Sequence, residues 1–248
     1  MKTWMGGEVL SEWVRYIQIN PDALPYFRSK EVSLMRVDPP AVIRCDGVNF
    51  GKALKGYRSP RDWRVHNALL GAAEEFMRIY GGEAALVISD EINILMHHLP
   101  YSGRVVKLSS VAASFISSHV SLVLGRCLSF DGRVIPLLAR EVVPYFLLRV
   151  RVGLNNYVSM RYHAAAGTKA RTPPLKVMLE RLKERGLLRN AEMWEGLGTL
   201  VTWSRAVKEG YNPLMGERVE VLRRVLSRYP AKLDLVVRYL GEVVRHSA

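Results

Sequence analysis

Two periodicities of apolar residues alternate along the chain, and the switches between them outline its elements. Ala41 to Gly47 (AVIRCDG) and Ala85 to Asn93 (ALVISDEIN) are short apolar runs rich in β-branched residues, each ending abruptly in a carboxylate. Such runs predict buried strands that carry an acid at their C-terminal edge, Asp46 in the first and Asp90 in the second. Between them, residues 60 to 80 have the punctuation of a helix: Pro60 near the first turn, Asp62 as an early acid, and Gly81-Gly82 past the end. The second strand, 84 to 90, turns at Asp90-Glu91 into a third over 92 to 99. A helix over 104 to 125 follows, its small residues suited to lying close on a sheet, and FDGRVIPL (130 to 137) reads as a fourth strand. The order β-α-β-β-α-β predicts an α+β, ferredoxin-like antiparallel sheet with both helices on one face. In that topology the first and third strands are neighbours, which brings Asp46 and Asp90 together.

The flanks read differently. Glu8 to Ile19 carries Val9, Leu10, Trp13, Val14 and Ile17 at helical spacing, so residues 1–34 are expected to form a helical extension ahead of a catalytic domain over 35–140. Pro39-Pro40 forces extended backbone into the first strand. Helical periodicity returns at Leu175 to Leu187, Val219 to Tyr229 and Leu233 to Val244, so 141–248 is expected to be a mainly helical region completing the fold.

Charge sharpens this division. Residues 139–190 hold 11 Lys and Arg against 3 Asp and Glu, while residues 1–138 hold 16 against 13, so the second stretch carries most of the net +13. Arg outnumbers Lys by 26 to 10, which suits a surface that grips phosphates through planar donors, although a solvated, thermophile-like surface has the same look. Arg161, Lys169, Arg171, Lys176, Arg181, Lys183, Arg185 and Arg189 could together make a phosphate-binding face, and Tyr157, Tyr162, Trp194 and Trp203 are candidates for stacking on bases or for the core. The two cysteines, Cys45 and Cys127, and six scattered histidines supply neither a disulfide framework nor a zinc site. No apolar run is expected to reach the roughly 20 residues of a bilayer span, and the N-terminus lacks the apolar stretch of a secretory signal, so a cytoplasmic location without membrane contact is expected.

Two carboxylates at neighbouring strand ends repel each other and are costly to bury, and a divalent metal relieves both penalties. The bland alternative is an Asp46-Gly47 turn and a hairpin tip at Asp90-Glu91. Two acids on adjacent central strands form the arrangement of a polymerase or cyclase palm, where two metals hold a triphosphate and activate a 3′-hydroxyl for in-line attack. Arg104 and Lys107, three apart in the first turn of a helix, would make a triphosphate seat or merely a solvated basic turn.

IRCDGVNF (43–50), SDEINIL (89–95), Arg104-x-x-Lys107 leading into KLSSVAAS (107–114), and FDGRV (130–134) resemble, in order and spacing, the motifs of the tRNA-His guanylyltransferase family, and GYNPLMGE (210–217) is similar to the tail of its archaeal members. The resemblance implies a palm enzyme that adds nucleotides, chiefly G, to the 5′ end of tRNA in the 3′-to-5′ direction. ATP first activates the 5′-monophosphate; the 3′-hydroxyl of GTP then attacks it, with two Mg2+ serving both steps. By this resemblance Asp46, Asp90 and Glu91 are the catalytic acids, and Asp46, Asp90 and the Gly47 carbonyl hold metal. Val48, Asn49, Phe50, Ser89, Arg104 and Lys107 contact nucleotide, and Arg149, Asn156, Arg161, Lys169 and Arg171 handle tRNA.

A homo-tetramer is likewise implied. The chain departs from the family at Ser59-Pro60, where relatives often carry Lys-Pro, so that phosphate contact is missing or moved to Arg58 or Arg61. It departs again over 147–163, where a Trp, a Gln and an acid are replaced. G addition to tRNA-His and repair of 5′-truncated tRNA both remain open, as do a palm-type nucleotide cyclase and a catalytically idle RNA-binding relative.

Overall fold

The computed structural model describes residues 35–166 and 172–246. The expected N-terminal helix, Lys169 and Arg171 lie outside the described residues.

Strand β1 (Ala41–Gly47) alternates its side chains between two layers: Ile43 and Cys45 enter one core, while Val42 enters the other on the side that Arg44 and Asp46 share. A single turn, α1 (Phe50–Ala53), leads to α2 (Trp63–Tyr80). The Asp62 carboxylate caps α2 by accepting from the Arg64 backbone N–H at 2.9 Å, and Gly81 closes it in the left-handed conformation, close to the bounds expected from the sequence. The hairpin β2 (Ala84–Ile88) and β3 (Glu91–Met96) is buried throughout. Helix α3 (Val105–Leu124) and β4 (Phe130–Pro136) complete the six expected elements. These four strands pair antiparallel in the order β4-β1-β3-β2, with Asp46 opposite both Glu91 and Asp131. The ferredoxin-like reading therefore holds, with α2 and α3 sharing a core with one face of the sheet through Leu69, Phe76, Leu108 and Ile116.

The sheet is longer than the motif. Helix α4 (Val142–Ala166) covers the second face with Val142, Phe146 and Val150 against Val42, Leu86, Ile88 and Leu95, joined there by α7 (Leu233–His246) through Val236 and Leu240. Helix α5 (Leu175–Glu184) packs Met178 and Leu182 on Tyr157 and Val158 of α4, and a short α6 (Met193–Leu197) follows. Strands β5 (Thr199–Asn212) and β6 (Glu217–Pro230) then extend the sheet beyond β2. The helix expected over 219 to 229 is thus part of a strand. Its apolar spacing suits either period, and the β-branched Val219, Val221 and Val225 pair across a turn with Gly210, Lys208 and Ser204. Only Thr199–Thr202 of β5 pairs with β2, so the rest of the hairpin runs on as a two-stranded ribbon.

One expectation about composition needs correcting. Helix α3 has 20 residues with a mean hydropathy of 1.3 over its most apolar window, enough by length and composition to cross a bilayer. In the fold it lies along the sheet, burying Leu108, Ala112, Ile116 and Val120 on one stripe.

Candidate active site

The carboxylates meet at one end of the sheet. The Gly47 N–H donates to the Asp90 carbonyl at 3.1 Å, tying the end of β1 to the β2-β3 turn. In that turn Ser89 adopts a left-handed conformation (φ 60°) and its hydroxyl donates to Asp90 Oδ1 at 2.7 Å. Gly47 has to be glycine: a Cβ there would stand 2.5 Å from Phe50 Cδ1. Phe50 itself is buried edge-on against Phe130, ring centres 5.0 Å apart, and is held below the sheet end by Asn49 in the left-handed region. Val48 is partly exposed, with its N–H bonded to the Ser129 carbonyl at 2.9 Å.

Arg44, two residues before Asp46 and on the same face, donates from Nη2 to Asp46 Oδ2 at 3.0 Å and is ion-paired with Glu91, its Nε 3.1 Å from Oε2. Glu91 is 5% exposed and fully engaged. Its Oε1 accepts from Asn93 Nδ2 at 2.7 Å and Arg149 Nε at 2.8 Å, its Oε2 accepts from Arg149 Nη2, and the Arg44 guanidinium pairs with it by charge. Tyr145 on α4 donates to Asn93 Oδ1 at 2.8 Å, closing the network from the helix side. Three hydrogen bonds and the Arg44 ion pair thus surround this carboxylate. Arg44 thereby bridges Glu91 and Asp46.

Asp46 has the opposite balance. Burial pushes its carboxyl above the ordinary range, the Arg44 hydrogen bond opposes this, and the negative charges of Asp90 and Glu91 push it up further. A cation would relieve that crowding. Among the described residues no three His, Cys, Asp or Glu side chains form a ready cage. Two carboxylates and a carbonyl nevertheless fit Mg2+, which keeps several waters and completes its shell with substrate phosphates.

Beside the acids opens a cavity of about 480 Å³, lined by Ser89 and Asp90 from the turn, Phe50 and the 57–62 loop, Asn155, Asn156 and Ser159 of α4, and Trp194. Helix α4 comes this close because Gly153 has no side chain: a Cβ there would lie 2.1 Å from Ile88 Cδ1. At the back, His66 is 3% exposed, stacks on Trp194 with ring centres 4.7 Å apart, and contacts Thr199 Oγ1 at 2.8 Å. Burial, then the nearby Arg61 and Arg228, push the His66 imidazole down to about 3, so it is neutral.

Of the residues expected at the site, Phe50, Ser89, Asp90 and Asn156 line this cavity. Asp46, Gly47 and Glu91 adjoin it through the strand ends. Arg104 and Lys107 are not among the residues that line the cavity. They open α3, where the Val105 N–H donates to the Met35 carbonyl and the Ser109 carbonyl lies against Gly132, the register partner of Cys45 beside Asp46. There Arg104 donates to the Tyr101 carbonyl at 3.2 Å and Lys107 lies over the Tyr101 ring.

Arg149 is spent on Glu91 and Arg161 on the Leu187 carbonyl, so both serve internal contacts. Tyr157 and Trp194 are core residues, and Trp203 donates to the Gly82 carbonyl at 2.8 Å beneath Arg224. Lys176, Arg181, Lys183, Arg185 and Arg189 do form an exposed basic face on and after α5. Sequence reasoning missed Arg44, Arg149 as the partner of Glu91, and His66. Only Arg44 carried a signal, its period-two relation to Asp46.

The profile of the tRNAHis guanylyltransferase family matches residues 24–146. Among solved structures, the chain is similar to a bacterial tRNA(His) guanylyltransferase (Thg1)-like protein in complex with ATP, at 23% identity and TM-score 0.69 over 90% of this chain and 96% of that one. The complex of such a protein with GTP matches at 22% identity and TM-score 0.68, covering 90% and 95%. The tRNA(His) guanylyltransferase of Saccharomyces cerevisiae matches at 19% and TM-score 0.55, covering 71% and 91%. These likenesses show a shared fold. The search of curated proteins gives no match. Together with the strand-end acids and the ferredoxin-like sheet, residues 24–146 of the chain thus carry the profile of the tRNA-His guanylyltransferase family.

Proposed function

We propose that the chain extends the 5′ end of tRNA, chiefly with G, in the 3′-to-5′ direction, using ATP to activate the 5′-phosphate and GTP as the incoming nucleotide. In the first step a 5′-phosphate oxygen attacks the α-phosphorus of ATP and pyrophosphate leaves. In the second, the GTP 3′-hydroxyl attacks the tRNA 5′-phosphorus, AMP leaves and the hydroxyl proton is lost. Asp46, Asp90 and the Gly47 carbonyl would hold two Mg2+, which when bound neutralise phosphate charge and favour the attacking oxygen.

The chain's own residues prepare this chemistry. Arg44 fixes one oxygen of Asp46 and Ser89 fixes one of Asp90, each by a single hydrogen bond that leaves the other oxygen available to a cation. The cavity of about 480 Å³ beside Asp90 is large enough for the nucleotide, and Asn155 and Asn156 offer amides to it. The exposed basic face at 176–189 supports tRNA as the polymer bound.

The observation that carries this reading is the pairing of Asp46 and Asp90 at one strand end, locked by the Gly47 N–H, beside that cavity. The test is 5′-extension of monophosphorylated tRNA-His with Mg2+, ATP and each nucleoside triphosphate. Wild type is expected to lengthen the tRNA, with Asp46→Asn and Asp90→Asn at least about 100-fold slower. Extension that survives either substitution at full rate would refute the assignment of the acids. Full-length and 5′-truncated tRNAs run side by side separate G addition from repair.

A further inference from the structure

Arg61 lies in the loop ahead of α2 and lines the cavity beside Ser89 and Asp90. It is 9% exposed, yet its guanidinium is mostly unanswered. Nη1 donates to the Pro60 carbonyl at 2.9 Å and lies 3.9 Å from Met160 Sδ. Nε and Nη2, the two parallel donors along one edge, have no hydrogen-bond partner among the described residues. These are the same two atoms with which Arg149 grips both oxygens of Glu91.

The neighbouring arginines are spoken for. Arg58 donates to Glu195 Oε1 at 2.6 Å and to the Arg61 carbonyl at 2.9 Å, and Arg44 is divided between Asp46 and Glu91. Arg61 has no ion pair among the described residues; Asp90 attracts it through space without a hydrogen bond. A buried guanidinium with two idle donors is a standing penalty, since taking the ion out of water costs several kcal/mol and only a well-placed anion returns it. The idle edge is a fork whose geometry matches two oxygens of one phosphate.

We propose that Arg61 is the phosphate anchor of this cavity, its Nε–Nη2 edge taking two oxygens of a nucleotide's polyphosphate or of the RNA 5′-phosphate. This rests on the reading that the cavity receives the reacting phosphates. It also resolves the departure at Ser59-Pro60. The missing lysine contact has moved past Arg58, which is ion-paired with Glu195, to Arg61, which has no ion pair among the described residues.

The test is calorimetric binding to the full chain of inorganic triphosphate, guanosine, and a short RNA with either a 5′-phosphate or a 5′-hydroxyl, without metal. Arg61→Met, Arg61→Lys and the surface control Arg64→Gln are compared with wild type. Arg61→Met should weaken triphosphate, 5′-phosphorylated RNA or both by about tenfold or more, leaving guanosine and 5′-hydroxyl RNA unchanged. Arg61→Lys should recover only part, because a point charge cannot make the paired contact. Arg64→Gln should stay within about twofold of wild type, as expected for an exposed charge.

A loss confined to triphosphate assigns the anchor to the nucleotide, and one confined to the RNA assigns it to the 5′ end. The ligand-free Arg61→Met protein should also melt a few degrees higher than wild type, because an uncompensated buried charge is gone. Unchanged affinity for both phosphate ligands in Arg61→Met and Arg61→Lys would overturn the proposal. A wild type that binds phosphate through Arg61 yet never lengthens a 5′ end would instead sink the proposed reaction and leave the anchor standing.

Discussion

Replacing Glu91 by Met removes the acid on which two arginines depend. The Arg44 and Arg149 side chains are 17% and 18% exposed, so neither can rehydrate fully in place. Arg44 keeps Asp46 at 3.0 Å and falls back on it; Arg149 keeps nothing. One orphaned, largely buried guanidinium costs about 3–5 kcal/mol, and the retained Asp46 contact puts Glu91→Met near the lower end, about 3–4 kcal/mol.

The double variant Glu91→Met/Arg149→Met deletes the orphan as well. It should be less destabilised than the sum of the single variants by about 2 kcal/mol, as for residues in one ion network. Glu91→Gln keeps the shape and part of the hydrogen bonding and should cost less than Glu91→Met. Equilibrium urea unfolding at pH 7, compared at constant m, measures all four proteins. A cost below about 1 kcal/mol for Glu91→Met, or strict additivity in the double variant, would refute the network.

His66 should make the protein acid-sensitive. With its pKa lowered from 6.5 to about 3 by burial, the folded state binds no proton at His66 where the unfolded chain does. Its contribution is therefore fully present above pH 6.5 and declines as pH falls toward 3. The loss approaches about 1.4 kcal/mol per pH unit and amounts to about 2 kcal/mol between pH 7 and pH 5. Unfolding at the two pH values should show the stability gap between wild type and His66→Gln narrowing by that amount, and parallel pH dependences would contradict the assignment. Gly153→Ala should overpack the α4–β2 contact for about 1–3 kcal/mol, since its Cβ would meet Ile88 Cδ1 at 2.1 Å. Because Arg149 and Asn156 ride on the same helix, triphosphate affinity should fall with it, and binding at wild-type strength in a correctly folded variant would show that α4 does not set the cavity wall.

The sequence displayed what is local. Strand-end acids, the Pro and Gly boundaries of α2 and the small-residue character of α3 each depend on a few neighbouring positions, and they placed Asp46, Asp90 and the order of the first four strands. What depends on direction in space was hidden. Arg149 looked like one more cation in a basic stretch, and only the packing of α4 over the second face brings it to Glu91. Strand β6 was read as a helix because Val219, Val221, Leu222, Val225 and Leu226 satisfy either period; its hairpin partner decides the matter.

Strand β1 has the last word on when the enzyme can exist during folding. Its neighbours in the sheet, β3 and β4, come from distant parts of the chain, and Arg149 arrives later still in the sequence. A nascent chain that has made β1 holds Asp46 without Asp90, Glu91 or Asp131, and the repulsion among these acids starts only when the pairing that positions them is complete. Long-range strand pairing is slow because loop closure must precede any reward. Metal-binding competence is therefore expected to appear late and all at once, coincident with the global folding transition, so that a half-made chain on the ribosome offers no charged cluster to capture ions or nucleotides prematurely.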